Sequence, residues 1–367
     1  MDTIDYIPRL VEAGLDNDRR LIESVSLTVL RKLKKERPDT SAQIAKILAK
    51  ATKGETTTLR SVRQQPLPVD RETRFSLVDL EEPLEVEDPI LDGRSIKELN
   101  DFIGERRLLE TFYKDGIEPS NSILFTGNPG VGKTYTAHWI SYKLGLPLIS
   151  LNLATSISSY LGRSGQNVKS VFDFARSQPV VLFLDEFDAI AKRRDDEGDL
   201  GELKRLVNVL LKEIEACPKS SVILAATNHP ALLDRAIWRR FDRCMELQMP
   251  GSRERELLIE RHLSHKKYQV SDEVRRYMGE HSEGINAADV CKLCEHIKRQ
   301  IIMKPEERID FIALSVLYSF ARPTTKEARR TACVGLKKDF PDLTLRDIAQ
   351  TVGVAPSTVS RYLDERE

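Results

Sequence analysis

The sequence has few cysteines and no long hydrophobic run. Its five cysteines, at positions 217, 244, 291, 294 and 333, are too few and too scattered for a disulfide framework, which favours a reducing compartment. The longest apolar stretches, such as residues 180–184, fall far below the ~20 residues that a membrane helix needs. The first twenty residues also lack a basic segment followed by an apolar one, as a signal peptide would have. We therefore expect a cytoplasmic protein with no membrane partner.

An excess of charge of either sign is absent as well. Lys and Arg total 57 and Asp and Glu total 57 among the 367 residues. This balance excludes a protein that coats nucleic acid through its overall charge, and it excludes a polyanionic disordered chain. The length is sufficient for two or three domains with a sizeable hydrophobic core.

Hydrophobic periodicity divides the chain into five segments. Apolar residues at intervals of three and four predict a helical module over 1–51, whereas 52–90 is polar and predicts a linker or an arm lying on another surface. An α/β domain follows over 91–250, then a four-helix lid over 251–322 and a small helical module over 323–367. The α/β pattern rests on five short apolar runs, typical of parallel strands buried on both faces, which are SILFT (122–126), LISLN (148–152), VVLFL (180–184), VILAA (222–226) and CMELQ (244–248).

A glycine-rich motif follows the first of these runs and precedes a helical segment. It matches G-x-x-x-x-G-K-[ST] and consists of Gly127, Asn128, Pro129, Gly130, Val131, Gly132, Lys133 and Thr134. Unpaired amides at a helix N-terminus, with glycines that allow close approach, form a cradle for phosphate groups. Lys133 adds a positive charge and the Thr134 hydroxyl can ligate Mg²⁺. The motif therefore predicts ATP and Mg²⁺ as cofactors.

Acidic and amide side chains end two further runs. Asp185 and Glu186 follow VVLFL, at the edge where parallel sheets bind ligands. We expect Asp185 to hold Mg²⁺ through water and Glu186 to polarise the attacking water. Asn228 follows VILAA and can orient the same water, although a helix cap before the next segment is the alternative.

With these motifs in view, residues 90–320 resemble the AAA+ ATPases, specifically the protein-remodelling group that includes katanin, spastin and the membrane-anchored AAA proteases. The resemblance implies a three-layer αβα sandwich with a five-stranded parallel sheet, in which VILAA lies between the strands that carry the cradle and the acids. It identifies Walker A at 127–134, Walker B at 181–186 and sensor 1 at Asn228. It also implies ATP hydrolysis within a ring of identical subunits, with a hexamer as the expected form.

The stretch 233–242 is similar to the arginine-finger segment of that family. The resemblance gives Arg239 and Arg240 the role of contacting the γ-phosphate bound to a neighbouring subunit, where their charge stabilises the transition state. Two solvated arginines at a helix end are the alternative that the residues alone leave open.

Further similarities concern the pore of the ring and the start of a lid helix. Tyr160 and Leu161, followed by glycine, match an aromatic-hydrophobic-glycine triplet that lines the pore and grips a protein substrate, although a buried core tyrosine is the alternative. Residues 192–194 lie where a second pore loop is expected, or form a solvated turn. Residues 284–290 are similar to the lid motif G-x-S-G-A-D, with Asn and Ala where Ser and Gly are usual, and no sensor 2 arginine is expected there.

Residues 343–363 have the spacing of a helix-turn-helix, with small or apolar residues at positions 349, 353 and 359. The net charge over 322–367 is +2, from nine Lys and Arg against seven Asp and Glu, which is small for a DNA binder, and docking to a protein is the alternative. In a DNA reader, the second helix would present to the groove Ser357, Thr358, Ser360, Arg361 and Tyr362.

Together these patterns predict an ATP-hydrolysing ring that remodels or unfolds a protein substrate through a central pore. A separate protease is a further expected partner, because the N-terminal helices faintly resemble a module of small bacterial AAA+ proteins that work beside a subtilisin-like protease. The alternative function is a DNA-targeted ATPase that acts in transposition, partition or phage defence through the C-terminal helices.

Overall fold

A computed structural model describes residues 3–15, 19–52, 67–69, 76–153, 164–189 and 200–364. The described chain folds as two compact units. The first combines the chain up to residue 89 with 93–128 and 132–247, and the second combines 90–92, 129–131 and 248–367. Within the described ranges, no helix combines the length and the apolar character that crossing a bilayer requires.

A six-stranded sheet forms the centre of the first unit. The strand order is β1-β3-β4-β5-β2-β6, and the strands are β1 (Asp79–Glu81), β2 (Ser122–Thr126), β3 (Leu148–Asn152), β4 (Val181–Asp185), β5 (Val222–Thr227) and β6 (Arg243–Glu246). Strands β2 to β6 are parallel, and β2 and β5 are buried throughout, as the apolar runs predicted. The expected position of VILAA, between the strands that carry the cradle and the acids, is confirmed.

Strand β1 is an addition to the five predicted parallel strands. It pairs antiparallel with β3, with Leu80 opposite Ile149, and it lies inside the segment interpreted as a linker or an arm. Three residues are too few to show an alternating pattern, and so short a strand is stable only on the edge of an existing sheet. Periodicity therefore could not detect it.

Helices precede, separate and follow the strands of this sheet along the chain. The described ones in the first unit are α1 (Ile7–Leu15), α2 (Arg19–Glu36), α3 (Pro38–Thr52), α4 (Gly93–Arg107), α5 (Leu109–Lys114), α6 (Lys133–Leu144), α7 (Ser164–Ser177), α8 (Leu200–Ala216) and α9 (Arg235–Trp238), with short 3₁₀ turns at Thr3–Tyr6 and Pro230–Leu232. Apolar residues of α7 and α8, such as Phe172 and Leu210, join Leu182 of the sheet in one hydrophobic core. Burial of this core is the main stabilising contribution to the unit.

The N-terminal helices pack on the α/β part of the first unit. Leu30 of α2 and Leu48 of α3 share a buried cluster with Leu109 and Tyr113 of α5. Because these residues are almost fully buried, the N-terminal helices are held by the hydrophobic effect as well as by the chain connection.

The second unit contains the four helices predicted for the lid and three more from the C-terminal segment. Its helices are α10 (Ser252–His262), α11 (Asp272–His281), α12 (Ala287–Met303), α13 (Ile309–Phe320), α14 (Lys326–Asp339), α15 (Leu345–Val352) and α16 (Pro356–Asp364). One hydrophobic core includes Ile312 of α13 and Leu336 of α14. The rings of Tyr277 and Phe340 add an edge-on contact, with their centroids 5.1 Å apart. The C-terminal helices therefore share a core with the lid helices.

Helices α15 and α16 are joined by a tight turn at Gly353, whose φ of 72° lies in the left-handed region that favours glycine. Ala349 and Val359 are buried on either side of this turn. Ser357 and Arg361 are exposed on α16, but Tyr362 is buried, so the prediction that Tyr362 faces outward is wrong. Tyr362 lies three residues after Val359, which places both side chains on the same helical face.

The shared core of the second unit predicts a large effect of truncating a C-terminal leucine. Leu336→Ala removes a side chain that is 0% exposed, and we expect a loss of about 2–5 kcal/mol in the free energy of unfolding. Leu345→Ala is the matched control, because Leu345 is 39% exposed and its truncation is expected to change stability by less than about 0.5 kcal/mol. Denaturant unfolding of the full chain measures both; equal, small losses would show that α14 does not stabilise this unit.

Candidate functional site

The glycine-rich loop between β2 and α6 has the backbone of a phosphate cradle. Gly127, Gly130 and Gly132 all have positive φ values, of 141°, 77° and 103°. Gly132 is the N-cap of α6, and no side chain in the described part of the protein caps this helix end. The first amides of α6 are therefore available to an anion, with the positive end of the helix dipole behind them.

Lys133 places a buried positive charge in this loop. Its side chain is mostly buried, and its Nζ donates hydrogen bonds to the carbonyl oxygens of Gly127 (2.7 Å) and Asn128 (2.9 Å). Burial lowers the pKa of Lys133, while the negative charges of Asp185 and Asp188 act in the opposite direction. A buried ammonium is stabilised by anionic partners, so this lysine fits a triphosphate in the cradle.

The two acids at the end of β4 occupy different environments. Asp185 accepts a hydrogen bond from the Glu186 backbone N–H at 2.8 Å, and burial raises its pKa although that hydrogen bond acts against the rise. Glu186 is exposed and has φ = 52°, a left-handed conformation that costs a non-glycine residue about 1–2 kcal/mol. The next residue holds this turn, because the Phe187 N–H bonds to the Ala226 carbonyl of β5 at 2.8 Å. Strain maintained in this way is typical of functional positions.

Asn228 follows β5 and is fixed through its backbone. Its N–H donates to Oδ1 of Asp188 at 3.3 Å, and the Thr227 hydroxyl donates to the same oxygen at 3.0 Å. The side-chain oxygen of Asn228 is buried and accepts no hydrogen bond from any residue that the structure describes. The helix-cap alternative is not supported. The 3₁₀ turn Pro230–Leu232 has His229 at its N-cap with no side-chain capping bond, and Asp234 caps α9 by accepting from the Ala236 N–H. Asn228 therefore offers an unused polar atom to a ligand.

Asp188 is a residue of this site that sequence reasoning missed. It is buried, and it joins the segment after β4 to the segment after β5 through the two hydrogen bonds just described. In the sequence, the signal for Asp188 is its position three residues after Asp185, in the run Asp-Glu-Phe-Asp, directly after an aromatic residue. A buried carboxylate needs hydrogen-bond donors, and Thr227 and Asn228 supply them.

Strand order brings these groups together. The register pairs Leu184 of β4 with Ala225 of β5, and Thr126 of β2 with Thr227 of β5. Because the three strands are parallel and adjacent, the acids, Asn228 and the glycine-rich loop all leave the sheet at its carboxyl edge, where open α/β sheets bind ligands. The donor set of backbone amides, one ammonium and two carboxylates fits a phosphate ester with a divalent cation.

Comparison with known proteins agrees with this geometry. A family model described as "ATPase family associated with various cellular activities (AAA)" matches residues 123–249. An uncharacterized AAA family ATPase of Sinorhizobium fredii, y4kL, is 36% identical over 248 residues, which cover 67% of this chain and 72% of that protein. The chain belongs to the AAA family of ATPases.

More distant AAA proteins share the same core. The chloroplastic ATP-dependent zinc metalloprotease FTSH 7 of Arabidopsis thaliana is 31% identical over 245 residues, which are 64% of this chain but 30% of that protein. The crystal structure of the FIGL-1 AAA domain matches with a TM-score of 0.56 and 20% identity, covering 72% of this chain and 92% of that domain, which shows the fold. The family and fold predicted from the sequence are confirmed, and ATP hydrolysis is the activity of the chain.

The AAA core holds the arginines at 239 and 240 on a well-packed segment. Both are exposed, but Arg240 forms an ion pair with Glu215 of α8. Arg239 makes no side-chain hydrogen bond or ion pair with any described residue of its own chain. The following Phe241 is buried and contacts Phe187 edge-on, with ring centroids 5.8 Å apart. The two arginines therefore differ: one is paired within the chain and the other is available.

In the second unit, the start of α12 lies against the glycine-rich loop residues 129–131. The Ala288 N–H donates to the Gly130 carbonyl at 3.0 Å, and Asn286 caps α12 by accepting from the Asp289 N–H at 2.8 Å. A Cβ atom at Gly130 would lie 2.6 Å from Oδ1 of Asn286, so glycine is required there. The predicted pore residues Tyr160 and Leu161, and residues 192–194, lie outside the described residues.

The hydrogen bonds of Asp188 predict that it positions Asn228 for catalysis. Asp188→Ala removes the acceptor for the Thr227 hydroxyl and the Asn228 N–H, and we expect kcat for ATP to fall by roughly tenfold or more, since small displacements of catalytic groups have large effects. KM should stay within about twofold, because the loop amides, Lys133 and the Asp185 charge beside it all remain. Asp188→Asn keeps an acceptor oxygen and should retain most of the activity. Steady-state ATPase assays test this; equal losses in the two variants would contradict the positioning role.

Proposed function

We propose that this AAA ATPase works as a ring of identical subunits, a hexamer, with ATP bound at the seam between neighbours. The observation that carries the proposal is the division of the catalytic groups. The cradle, Asp185, Glu186 and Asn228 share one sheet edge, whereas Arg239 is exposed and unpaired with any described residue of its own chain. A guanidinium supplied by the next subunit would complete the site.

Each residue then has a chemical role in hydrolysis. The loop amides and Lys133 bind the phosphates. Thr134 and, through water, Asp185 would hold Mg²⁺, which would offset the negative charge of the phosphates. Glu186 takes the proton of the water that attacks the γ-phosphorus, while Asn228 orients that water. The products are ADP and phosphate. Arg239 of the neighbouring subunit stabilises the negative charge that develops on the transferring phosphoryl group.

A protein is the macromolecular substrate that we favour. One relative of this chain is an ATP-dependent protease, FTSH 7, of which the match covers 30%, and the chain carries the Tyr160-Leu161 pair expected in a substrate-gripping pore. Among the described residues, no group of His, Cys, Asp and Glu could hold a metal ion for proteolysis. A separate protease chain is the partner that we propose for any degradation coupled to this ATPase.

DNA targeting is the second candidate function. It is supported by the turn at Gly353 and by the exposed Ser357 and Arg361 of α16, on the helix that a DNA-reading helix-turn-helix would place in the major groove. Thr358 and Ser360 are partly exposed beside them. Because α14, α15 and α16 share a hydrophobic core with the lid helices, surface substitutions on α16 test this function more cleanly than truncation.

The pairing of Arg240 with Glu215 predicts that the two arginines are not equivalent. We expect Arg239→Ala to lower kcat on the order of 10³-fold, as for the loss of an arginine finger. Arg240→Ala and its partner variant Glu215→Gln should reduce kcat much less and by similar amounts, because both break one intrachain ion pair. ATPase rates at a protein concentration that supports assembly provide the measurement. A loss in Arg240→Ala as large as in Arg239→Ala, with Glu215→Gln unaffected, would assign the finger role to Arg240.

We expect the Glu186→Gln variant to form a stable complex with ATP and to retain its macromolecular substrate. The variant should bind ATP, hydrolyse it at least about 100-fold more slowly because the proton acceptor is lost, and remain assembled at saturating ATP. Light scattering measures the assembly, and affinity purification of the trap identifies what remains bound. Captured proteins support remodelling, and captured nucleic acid that is lost in Glu186→Gln with Arg361→Glu supports DNA targeting. Normal turnover in Glu186→Gln would refute its role.

A further inference from the structure

The turn after α8, residues 217–221, is held by the N-terminal helices and by α4. Glu23 of α2 is 6% exposed, and its Oε2 accepts a hydrogen bond from the Lys219 backbone N–H at 2.9 Å. Arg106 of α4 is 3% exposed and donates to the carbonyl oxygens of Lys219 (2.7 Å) and Ser220 (3.4 Å). The backbone of the turn is therefore held by hydrogen bonds to a buried acid, Glu23, and a buried base, Arg106.

The same turn holds the segment 239–242, which carries the two arginines. Nζ of Lys219 donates to Oδ1 of Asn121 at 2.7 Å and lies 3.5 Å from the Asp242 carboxylate. That carboxylate also accepts from the backbone N–H groups of Asn121 (2.8 Å) and Ser122 (3.1 Å). Two residues before the turn, Glu215 pairs with Arg240. Segment 239–242 is thus held against residues 215–219 through Arg240 and Asp242.

Buried charged groups make the connection between α2 and the 217–221 turn rigid. Burial lowers the pKa of Arg106, while Tyr113, Glu23, Glu105 and Asp242 raise it. Buried ions are tolerated when they are paired and hydrogen-bonded, and removal of one partner leaves the other uncompensated. Loss of Glu23 would leave the Lys219 N–H without its acceptor and remove one of the three acids that act on Arg106, so we expect the 217–221 turn to move. Near the end of α5, α2 makes two further polar contacts. Lys34 pairs with Asp115 at the solvent-exposed surface and contributes little, and Nε of Arg31 donates to the Gly116 carbonyl at 2.6 Å.

We propose that Glu23 is a positioning residue for the arginine finger, acting through the 217–221 turn on segment 239–242. This inference rests on the proposed function, in which Arg239 serves the neighbouring subunit. It has a directional consequence: the N-terminal helices of one subunit set the hydrolysis rate of the next subunit, while the nucleotide site of their own subunit keeps its cradle, acids and Asn228 in place. A covalent step is not involved, and the effect falls on kcat rather than on ATP affinity.

Mixed assemblies test the direction of this effect. One copy carries Glu186→Gln, so it donates arginines but does not hydrolyse; the other carries Arg239→Ala, so it can hydrolyse but donates no finger. Each copy alone is expected to be nearly inactive. In the mixture, turnover should return only at interfaces where the Glu186→Gln copy supplies Arg239 to the Arg239→Ala copy. Glu23→Ala is then added to either copy. We expect roughly tenfold lower recovered kcat when it is on the finger donor and less than a twofold change when it is on the hydrolysing copy, with KM unchanged.

Control variants separate positioning from folding. Glu23→Gln keeps an acceptor oxygen for the Lys219 N–H, and we expect it to restore most of the activity that Glu23→Ala loses; it also replaces Glu23→Ala if that variant does not fold. Asp115→Asn breaks the exposed pair with Lys34 and should change turnover in neither copy. Denaturant unfolding of each single variant confirms that the copies are folded.

The outcomes distinguish the two levels of the proposal. If the mixture without a Glu23 substitution recovers no activity, the shared seam itself is wrong. If it recovers activity but Glu23→Ala acts equally from both copies, or has no effect from the donor, Glu23 is only a structural residue and the inference is overturned.

Discussion

The hydrogen-bonded order of three parallel strands is the constraint on which the proposed catalytic site depends. Strand β5 lies between β4 and β2, so residues that are far apart in the chain leave the sheet at one edge. Asp188 reinforces this arrangement, because its carboxylate binds the Thr227 hydroxyl and the Asn228 N–H across the gap between two strand ends. Glu186 keeps its left-handed conformation because Phe187 is bonded to β5. The positions of the proposed catalytic residues are therefore set by the geometry of the sheet.

The segment that carries the arginines is built with comparable rigidity, although it lies at the surface. Phe241 is buried against Phe187, and Asp242 accepts hydrogen bonds from Asn121 and Ser122 at the start of β2. An exposed guanidinium on a fixed backbone loses less conformational entropy when it binds an anion than one on a mobile loop. A guanidinium held in this way suits the role proposed for Arg239, which is to act on a nucleotide bound by another subunit.

The helices before and after the AAA core share hydrophobic clusters with the elements beside them. The N-terminal helices share a hydrophobic cluster with α5 and a buried acid with the 217–221 turn, and the C-terminal helices share a core with the lid helices. The domain bounds drawn at 51 and 322 remain predictions, but each falls beside a hydrophobic contact that crosses it. A ligand of either helical segment would therefore bear on elements that belong to the ATPase, because packed cores transmit displacement.

By itself the sequence determined the family, the five parallel strands, the four helices over 251–322 and the glycine-rich loop between a strand and a helix, because each of these follows from local periodicity or from contiguous residues. It did not determine β1, whose three residues are stable only on the edge of β3, or the burial of Tyr362, which depends on the face that α16 turns toward its neighbours. The roles of Asp188, Glu215 and Glu23 were equally hidden. An acidic side chain looks the same in sequence whether it is solvated or paired, and its partner is chosen by residues that only the tertiary fold brings within hydrogen-bonding distance.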